Sequence, residues 1–223
     1  MPIHVVFEVT ADASKLETSE KYYETLSPHL RKQPGFIEEL NYVNDDPNSS
    51  LAMSSWVSEE ALLARQILPA HLRIEKAARE NVFESYRVRL GWEEQAPEPK
   101  ARTGKKGRRM VLHQQPRSIR PAPATRSCCN DDEIGAASVQ DMWREDADAS
   151  SVLQELVDHR IWWNDTHTLH ITSWLDAARA EAFAADVERV PGDWLRRVAV
   201  DREYTRVDRK EALQKTEPDI GYL

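Results

Sequence analysis

The amino-acid sequence predicts an α+β protein made of two ferredoxin-like units in tandem, each with the element order βαββαβ. Three observations support this prediction. Residues 1–92 alternate between strand-like and helix-like apolar patterns, residues 167–207 repeat part of that pattern, and a chain of 223 residues has room for two small domains. The first domain should span residues 1–94, and a degenerate second copy should span residues 131–210, followed by a tail over 211–223.

The first unit begins with a predicted strand over residues 3–9 and a helix that opens near Asp12 or Ser14. Pro34 and Gly35 cannot continue that helix, so the chain should turn there. Apolar residues recur along the helix at helical spacing: Leu16, Tyr23, Leu26 and Leu30.

A hairpin follows, because two extended segments, 36–43 and 51–57, flank the turn-forming sequence NDDPNSS. Ser58 can cap the next helix, and Pro69 interrupts it before it resumes through His71. Val82, Tyr86, Val88 and Leu90 then give the last strand. These elements complete one βαββαβ unit.

The second unit is predicted from self-similarity. The segment SSLAMSSW (49–56) aligns with HTLHITSW (167–174), which places Trp56 on Trp174, and the same offset places Tyr86 on Tyr204. An alanine-rich helix over 176–188 and a strand over 198–207 follow in the matching order. Residues 149–161 fit a helix at least as well as a strand. Two such units could bury their open sheet faces against each other within one chain.

Residues 95–130 are predicted to be a basic, proline-rich linker. Residues 95–126 contain nine Lys or Arg and one acid, Glu98, although the whole chain has a net charge of −8. The apolar segment 109–113 is a candidate strand within this linker. A cationic run such as KKGRR on an acidic protein usually forms a solvated tether, so we expect no nucleic-acid partner.

Composition excludes several other classes of protein. No apolar run is long enough to span a bilayer, and MPIHVVFEVT lacks the features of a secretory signal, so we expect a cytoplasmic protein without a membrane partner. Cys128 and Cys129 are adjacent, which suits neither an ordinary disulfide nor a metal site. The sequence also lacks a glycine-rich phosphate loop and an HExxH helix.

About the first 90 residues, a span of ordinary domain size, resemble the antibiotic biosynthesis monooxygenase family. The resemblance rests on QPGFIEE (33–39), LAMSSWVSEEAL (51–62), PAHLR (69–73) and ENVFESYRVRL (80–90), in that order and spacing. It implies a dimeric α/β-barrel-like arrangement and the oxidation of phenolic or polyketide-like substrates of secondary metabolism with O₂, without metal or flavin.

The resemblance leaves alternatives open. Ala52 stands where relatives that oxidise polyketides place Asn, and His170 is its counterpart in the second copy. Haem-degrading relatives need a tryptophan and a histidine where this chain has Arg65 and Glu75, so no cofactor is expected and haem is the minor alternative. The same fold could instead host a non-oxidative cyclase, isomerase or dehydratase, or a binding or scaffold protein without catalysis.

Eight side chains are candidates for the site. His71 and His170 are candidate general bases because an imidazole titrates near neutrality, while Tyr86 and Arg65 could donate to or hold an anionic intermediate. The candidate substrate-binding residues are Trp56, Trp174, Tyr204 and Trp163. The expected partners are a small aromatic substrate and O₂, and the protein could be a monomer with an intramolecular barrel or a homodimer.

Overall fold

The computed structural model describes residues 1–66, 68–94, 108–117 and 156–212. The chain forms two compact units. Met1–Lys100 and Val200–Leu223 make up the first, and Ala101–Ala199 make up the second. In the described ranges, no helix has the length and apolar character needed to cross a membrane.

The first unit has the predicted order of elements. They are β1 (Ile3–Ala11), a 3₁₀ turn (Ala13–Lys15), α1 (Leu16–Leu30), β2 (Phe36–Val43), β3 (Ser49–Trp56), α2 (Glu59–Gln66), α3 (Pro69–Asn81) and β4 (Phe83–Glu93). Asp12 starts the first helical segment by accepting a hydrogen bond from the Ser14 amide at 2.8 Å. Pro69 occupies the first turn of α3, where its missing N–H costs nothing.

The four strands of the first unit form an antiparallel sheet in the order β2, β3, β1, β4. One face packs against the helices. Its core contains Ile3, Val5, Val9, Leu30, Trp56, Leu62, Tyr86, Val88 and Leu90. Leu30 and Leu62 come from α1 and α2, so this cluster joins both helices to the sheet.

The opposite face of this sheet carries buried polar groups. His4 bonds Ser55 at 2.8 Å and Glu93 at 2.9 Å, while Arg89 pairs with Glu8. The pairing of Arg89 with Glu8 avoids the cost of an isolated buried charge.

The second unit contains β5 (Arg109–Pro116), β6 (Leu156–Trp163), β7 (His167–Trp174), α4 (Ala177–Asp186) and the first half of β8 (Trp194–Thr205). Its strand order is β6, β7, β5, β8, which repeats that of the first unit. The remaining residues of β8, from Val200 onward, belong to the first unit. The predicted α+β class with ferredoxin-like units is confirmed.

The two sheets also share one irregularity. The pairing of β2 with β3 shifts between Phe36 and Glu38, opposite Trp56, and the pairing of β6 with β7 shifts between Leu156 and Asp158, opposite Trp174. The alignment of Trp56 with Trp174 is therefore correct in three dimensions.

The alignment of Tyr86 with Tyr204 is wrong. In the first unit Ile3 pairs with Trp92, and in the second unit the equivalent residue Arg109 pairs with Ala199, so Trp92 and Ala199 are equivalent. Tyr86 lies six residues before Trp92, and the residue six positions before Ala199 is Asp193. Asp193, not Tyr204, is therefore the counterpart of Tyr86. Tyr204 lies near the opposite end of β8, within the first unit. Two tyrosines on late strands gave a coincidental match because the chain between the two strand pairs differs in length.

The candidate strand at 109–113 proves to be part of β5, and the ambiguous segment 149–161 is a strand from Leu156 onward. Tyr23, predicted to lie on the apolar face of α1, is exposed and hydrogen-bonds Glu39 and Asn41. Most of the basic linker, Cys128, Cys129, the predicted start of the second domain and the tail from residue 213 lie outside the described residues.

Candidate functional site

The structure distributes the eight predicted site residues over both units. Trp56, Arg65, His71, Tyr86 and Tyr204 belong to the first unit, and Trp163, His170 and Trp174 belong to the second. Two separate clusters of side chains result, one in each unit.

Trp56 and Arg65 form the centre of the first cluster. The Trp56 indole is completely buried, its Nε1 donates a hydrogen bond to Ser54 Oγ at 3.1 Å, and its ring meets Phe36 edge-on at 5.6 Å. The Arg65 guanidinium lies over that indole, 5.8 Å from the ring centroid. A cation at this distance from an indole face gains cation–π attraction.

Arg65 remains a cation at neutral pH. Burial lowers its pKa to about 10, because the charged guanidinium loses solvent there. Glu39, Glu75 and the Tyr204 hydroxyl oppose that shift. The Arg65 side chain is partly buried.

His71 and Glu75 face each other one turn apart on α3. The His71 Nδ1 atom lies 3.7 Å from a Glu75 carboxylate oxygen, and both side chains are partly buried. Because Glu75 also acts electrostatically on Arg65 and Tyr204, it links the histidine to the centre of the cluster. Glu75 was predicted only as a position where haem-degrading relatives differ, although its spacing of four residues from His71 on a helix indicates that the two side chains share a face.

Two tyrosines bring phenol groups into the same region. Burial raises the pKa of Tyr204 to about 12, and Glu75 acts in the same direction, so this hydroxyl stays protonated and can donate a hydrogen bond. Arg209 donates to the Tyr86 hydroxyl and lies 5.7 Å from the Tyr204 ring centroid. Arg209 was missed because nothing near residue 209 marks it in the sequence. We call Trp56, Arg65, His71, Glu75, Tyr86 and Tyr204 the first-unit cluster.

The second cluster consists of three histidines. His170 is the cross-strand partner of His113, and their ring centroids are 6.3 Å apart. The His159 ring stacks on His170 at 5.7 Å, with His159 Nε2 and His170 Nδ1 separated by 3.4 Å. We call His113, His159 and His170 the histidine cluster.

These histidines differ in their charged partners. His113 bonds Asp193 at 3.0 Å, and the Asp193 carboxylate, whose pKa is lowered first by Arg189 and then by His113, stays ionised. For His170, burial first and then repulsion from His159 and His113 lower the pKa to about 4. Burial lowers the pKa of His159 as well, against the attraction of Asp158.

The remaining candidates in the second unit lie apart from one another. Trp174 is buried, donates from Nε1 to Thr172 Oγ1 at 2.9 Å and packs on Phe183 at 5.2 Å. Trp163 lies at the end of β6, where the Arg117 guanidinium is 5.9 Å from its ring centroid. Among the side chains that the structure describes, no three His, Cys, Asp or Glu residues are arranged to hold a metal ion.

Comparison with known proteins finds similarity over the first unit. Residues 2–77 match the family model described as antibiotic biosynthesis monooxygenase. A curated protein of Pyricularia oryzae named jasmonate monooxygenase is 30% identical over 88 residues, which are 39% of this chain and 41% of that protein. The match thus spans less than half of the length of this relative.

Solved structures are similar at lower identity. PA3566 from Pseudomonas aeruginosa is 16% identical with a TM-score of 0.39 and covers 42% of this chain and 95% of its own. A variant of SnoaB, a cofactor-independent oxygenase from Streptomyces nogalater, is 21% identical with a TM-score of 0.37 and covers 44% and 98%. The match to the antibiotic biosynthesis monooxygenase family model thus covers residues 2–77 of the 223 in the chain.

Proposed function

We propose that the first unit is a cofactor-independent monooxygenase that oxidises a small phenolic or polyketide-like aromatic substrate of secondary metabolism with O₂. One observation carries this proposal. The first-unit cluster combines a cation supported by a buried indole with a histidine–carboxylate pair on the helix-covered side of the sheet. These are the groups needed to orient, ionise and stabilise such a substrate.

The reaction needs little from the protein besides a base and a shaped environment. Removing a proton from an anthrone-like substrate gives an electron-rich enolate, which reduces O₂ and forms a carbon–oxygen bond with it. The resulting hydroperoxide loses water and leaves a carbonyl group. One oxygen atom therefore enters the product and the other leaves as water, which balances the oxidation of one CH₂ group.

His71 is the base in this proposal. Glu75 orients the imidazole and stabilises the imidazolium that forms when His71 takes the proton. Tyr86 and Tyr204 are hydroxyl donors toward the substrate oxygen, and Arg65 supplies positive charge as the substrate becomes an anion.

His170, the other candidate base, is less suited to this role. A base works best when its pKa lies near the operating pH, and the pKa of His170 is lowered to about 4. We therefore propose that the second unit is a degenerate copy that does not carry the oxidation. The surroundings of the equivalent tryptophans also differ, because Trp174 packs on Phe183, whereas Trp56 lies beneath Arg65.

The residues of the first unit do not fit haem. Arg65 and Glu75 stand where haem-degrading relatives need a tryptophan and a histidine, and here they form part of one electrostatic cluster. A carboxylate close to an arginine and a histidine is not the neutral imidazole that haem iron prefers. The proposed reaction does not involve haem.

The test is oxygen consumption by metal-free, haem-free protein with anthrone and naphthol substrates, and with jasmonate because the curated relative is named for it. His71→Ala should lower the rate by about 10²-fold or more, the usual contribution of a general base. The matched control, His170→Ala, should keep the wild-type rate. Retained activity in His71→Ala, or lost activity in His170→Ala, would overturn the assignment of the base.

A complete lack of oxygen uptake would instead overturn the oxidative chemistry. Product analysis under nitrogen then distinguishes a non-oxidative enzyme from a binding or scaffold protein. Conversion without O₂ that depends on His71 would indicate a cyclase, isomerase or dehydratase, and binding without conversion would indicate a scaffold protein.

A further inference from the structure

The guanidinium of Arg65 has an unusual position for a charged group. It is drawn into the apolar region beside Trp56 far enough that burial lowers its pKa, yet it still carries its charge at neutral pH. No hydrogen bond or ion pair joins it to another side chain or backbone group within the part of the chain that the structure describes. Five N–H donors on a desolvated cation are costly without acceptors.

The nearby carboxylates are engaged elsewhere. Glu39 accepts hydrogen bonds from Ser27 at 2.8 Å and Tyr23 at 3.2 Å and pairs with Arg31 at 3.3 Å. Glu75 faces His71. Both attract Arg65 through space, but neither forms an ion pair with it. The fork of donors on Arg65 is therefore open to an acceptor from outside the protein.

We propose that Arg65 binds a carboxylate carried by the substrate, so that the enzyme acts on aromatic acids and not on their neutral analogues. This proposal rests on the proposed function for the identity of the site. A guanidinium is planar and matches a carboxylate with two parallel hydrogen bonds, which makes it selective for that group. The inner face of the guanidinium rests on the buried Trp56 indole, so the aromatic body of the same molecule would lie on the solvent side of Arg65.

A phenolate is the other anion that Arg65 could meet. The phenolate forms only after the base has acted, whereas the Arg65 charge is present in the resting protein. A carboxylate is ionised before binding and offsets the cost of the buried cation from the start. The two sources of negative charge can be separated because a methyl ester removes the carboxylate charge and leaves the phenol intact.

The experiment measures binding of a hydroxynaphthoate and of its methyl ester by calorimetry under nitrogen at neutral pH. Wild type should bind the acid at least tenfold more tightly than the ester. Arg65→Gln should abolish that preference, and Arg65→Lys should retain part of it because it keeps the charge without the fork. Arg73→Gln is the matched control, since Arg73 is an exposed arginine on α3 and its loss changes the net charge equally.

Equal binding of acid and ester by wild type, or an unchanged preference in Arg65→Gln, would overturn the carboxylate proposal. If Arg65→Gln unfolds, Arg65→Lys still tests it, because a preference equal to that of wild type would show that the fork is not used. Oxygen uptake is then measured separately. A preference for the acid without oxygen uptake supports carboxylate binding by Arg65 and contradicts the monooxygenase proposal. Oxygen uptake without that preference supports the monooxygenase proposal and contradicts carboxylate binding by Arg65.

Discussion

Trp56 and Trp174 show how one residue type at matched positions acquires different uses. Each ends the third strand of its unit, and each indole donates to the hydroxyl of the residue two positions earlier, Ser54 or Thr172. The local hydrogen bond satisfies the buried N–H in both cases. What differs is the neighbour on the ring face: Arg65 for Trp56, and Phe183 for Trp174. The residue alone therefore does not define the site.

His170 should make the protein sensitive to mild acid. Its pKa is about 4 in the folded protein and about 6.5 when unfolded, so the unfolded chain binds the proton more tightly between these values. The stability contributed by neutral His170 is complete above pH 6.5 and is lost as the pH falls toward 4. The expected loss is about 3 kcal/mol, since the pKa falls from 6.5 to about 4 and each pKa unit corresponds to about 1.4 kcal/mol.

Urea unfolding at several pH values between these limits measures the effect. His170→Phe should show a flatter profile than wild type over this window, and exposed His29 provides the control variant His29→Phe, which should leave the wild-type slope unchanged. An identical slope in wild type and His170→Phe would show that His170 does not titrate in this way.

Residue types and spacing predicted part of the first-unit cluster. Trp56, Arg65, His71 and Tyr86 all lie within the segment that resembles the family, where element order fixes which residues share a face. Tyr204 was chosen for the wrong reason, as the counterpart of Tyr86. It belongs to the first unit because the chain from Val200 onward packs there, and no periodicity in the sequence indicates this. Contacts between distant segments, such as that of Arg209 with Tyr86, cannot be read from local pattern.

At the scale of elements, the turn between α1 and β2 depends on Gly35. Its φ of +81° lies in the left-handed region, and a Cβ added there would stand 2.6 Å from Ala61 Cβ and 2.7 Å from Val57 Cγ2. The Gly35 carbonyl also accepts a hydrogen bond from the Val57 amide at 2.9 Å. The close approach therefore connects this turn to the end of β3 and to α2, which carries Arg65.

Gly35→Ala should destabilise the protein by about 2–4 kcal/mol, about 1 from the backbone conformation and the remainder from overpacking. Gly192→Ala is the matched control, because its φ is +86° but the nearest atom to an added Cβ is Pro116 Cγ at 3.3 Å. It should cost only about 1 kcal/mol. Chemical denaturation measures both variants, and equal losses would show that the close contacts of Gly35 do not contribute.

Most elements were predictable because their signals are local. Turn residues, helix caps and alternation gave the strands and helices of the first unit to within a few residues. β6 was ambiguous because Val157 and other apolar residues lie on both of its faces, which removes the period that separates a strand from a helix. The bulge opposite each tryptophan leaves no sequence mark at all.

At the scale of the whole molecule, the first unit is built from two separate stretches of chain. Residues of the later stretch bind to the earlier one: Glu203 pairs with Arg87 at 2.7 Å, and Arg202 pairs with Glu59 at 2.8 Å. Strand β8 begins in the second unit, paired with β5, and ends in the first. The stability of the second unit should therefore determine whether these residues are held in place.

Val111→Ala tests this dependence because Val111 lies in the core of the second unit, 1% exposed. Truncating a buried aliphatic side chain should cost about 2 kcal/mol, or a fall in Tm of about 4–8 °C for a chain of this size. If β8 couples the units, calorimetry should show one transition that shifts as a whole. Val5→Ala, in the core of the first unit, should shift the same transition by a similar amount. Two resolved transitions, only one of which moves in each variant, would show instead that the units unfold independently and that Tyr204 is held in the first unit without support from the second.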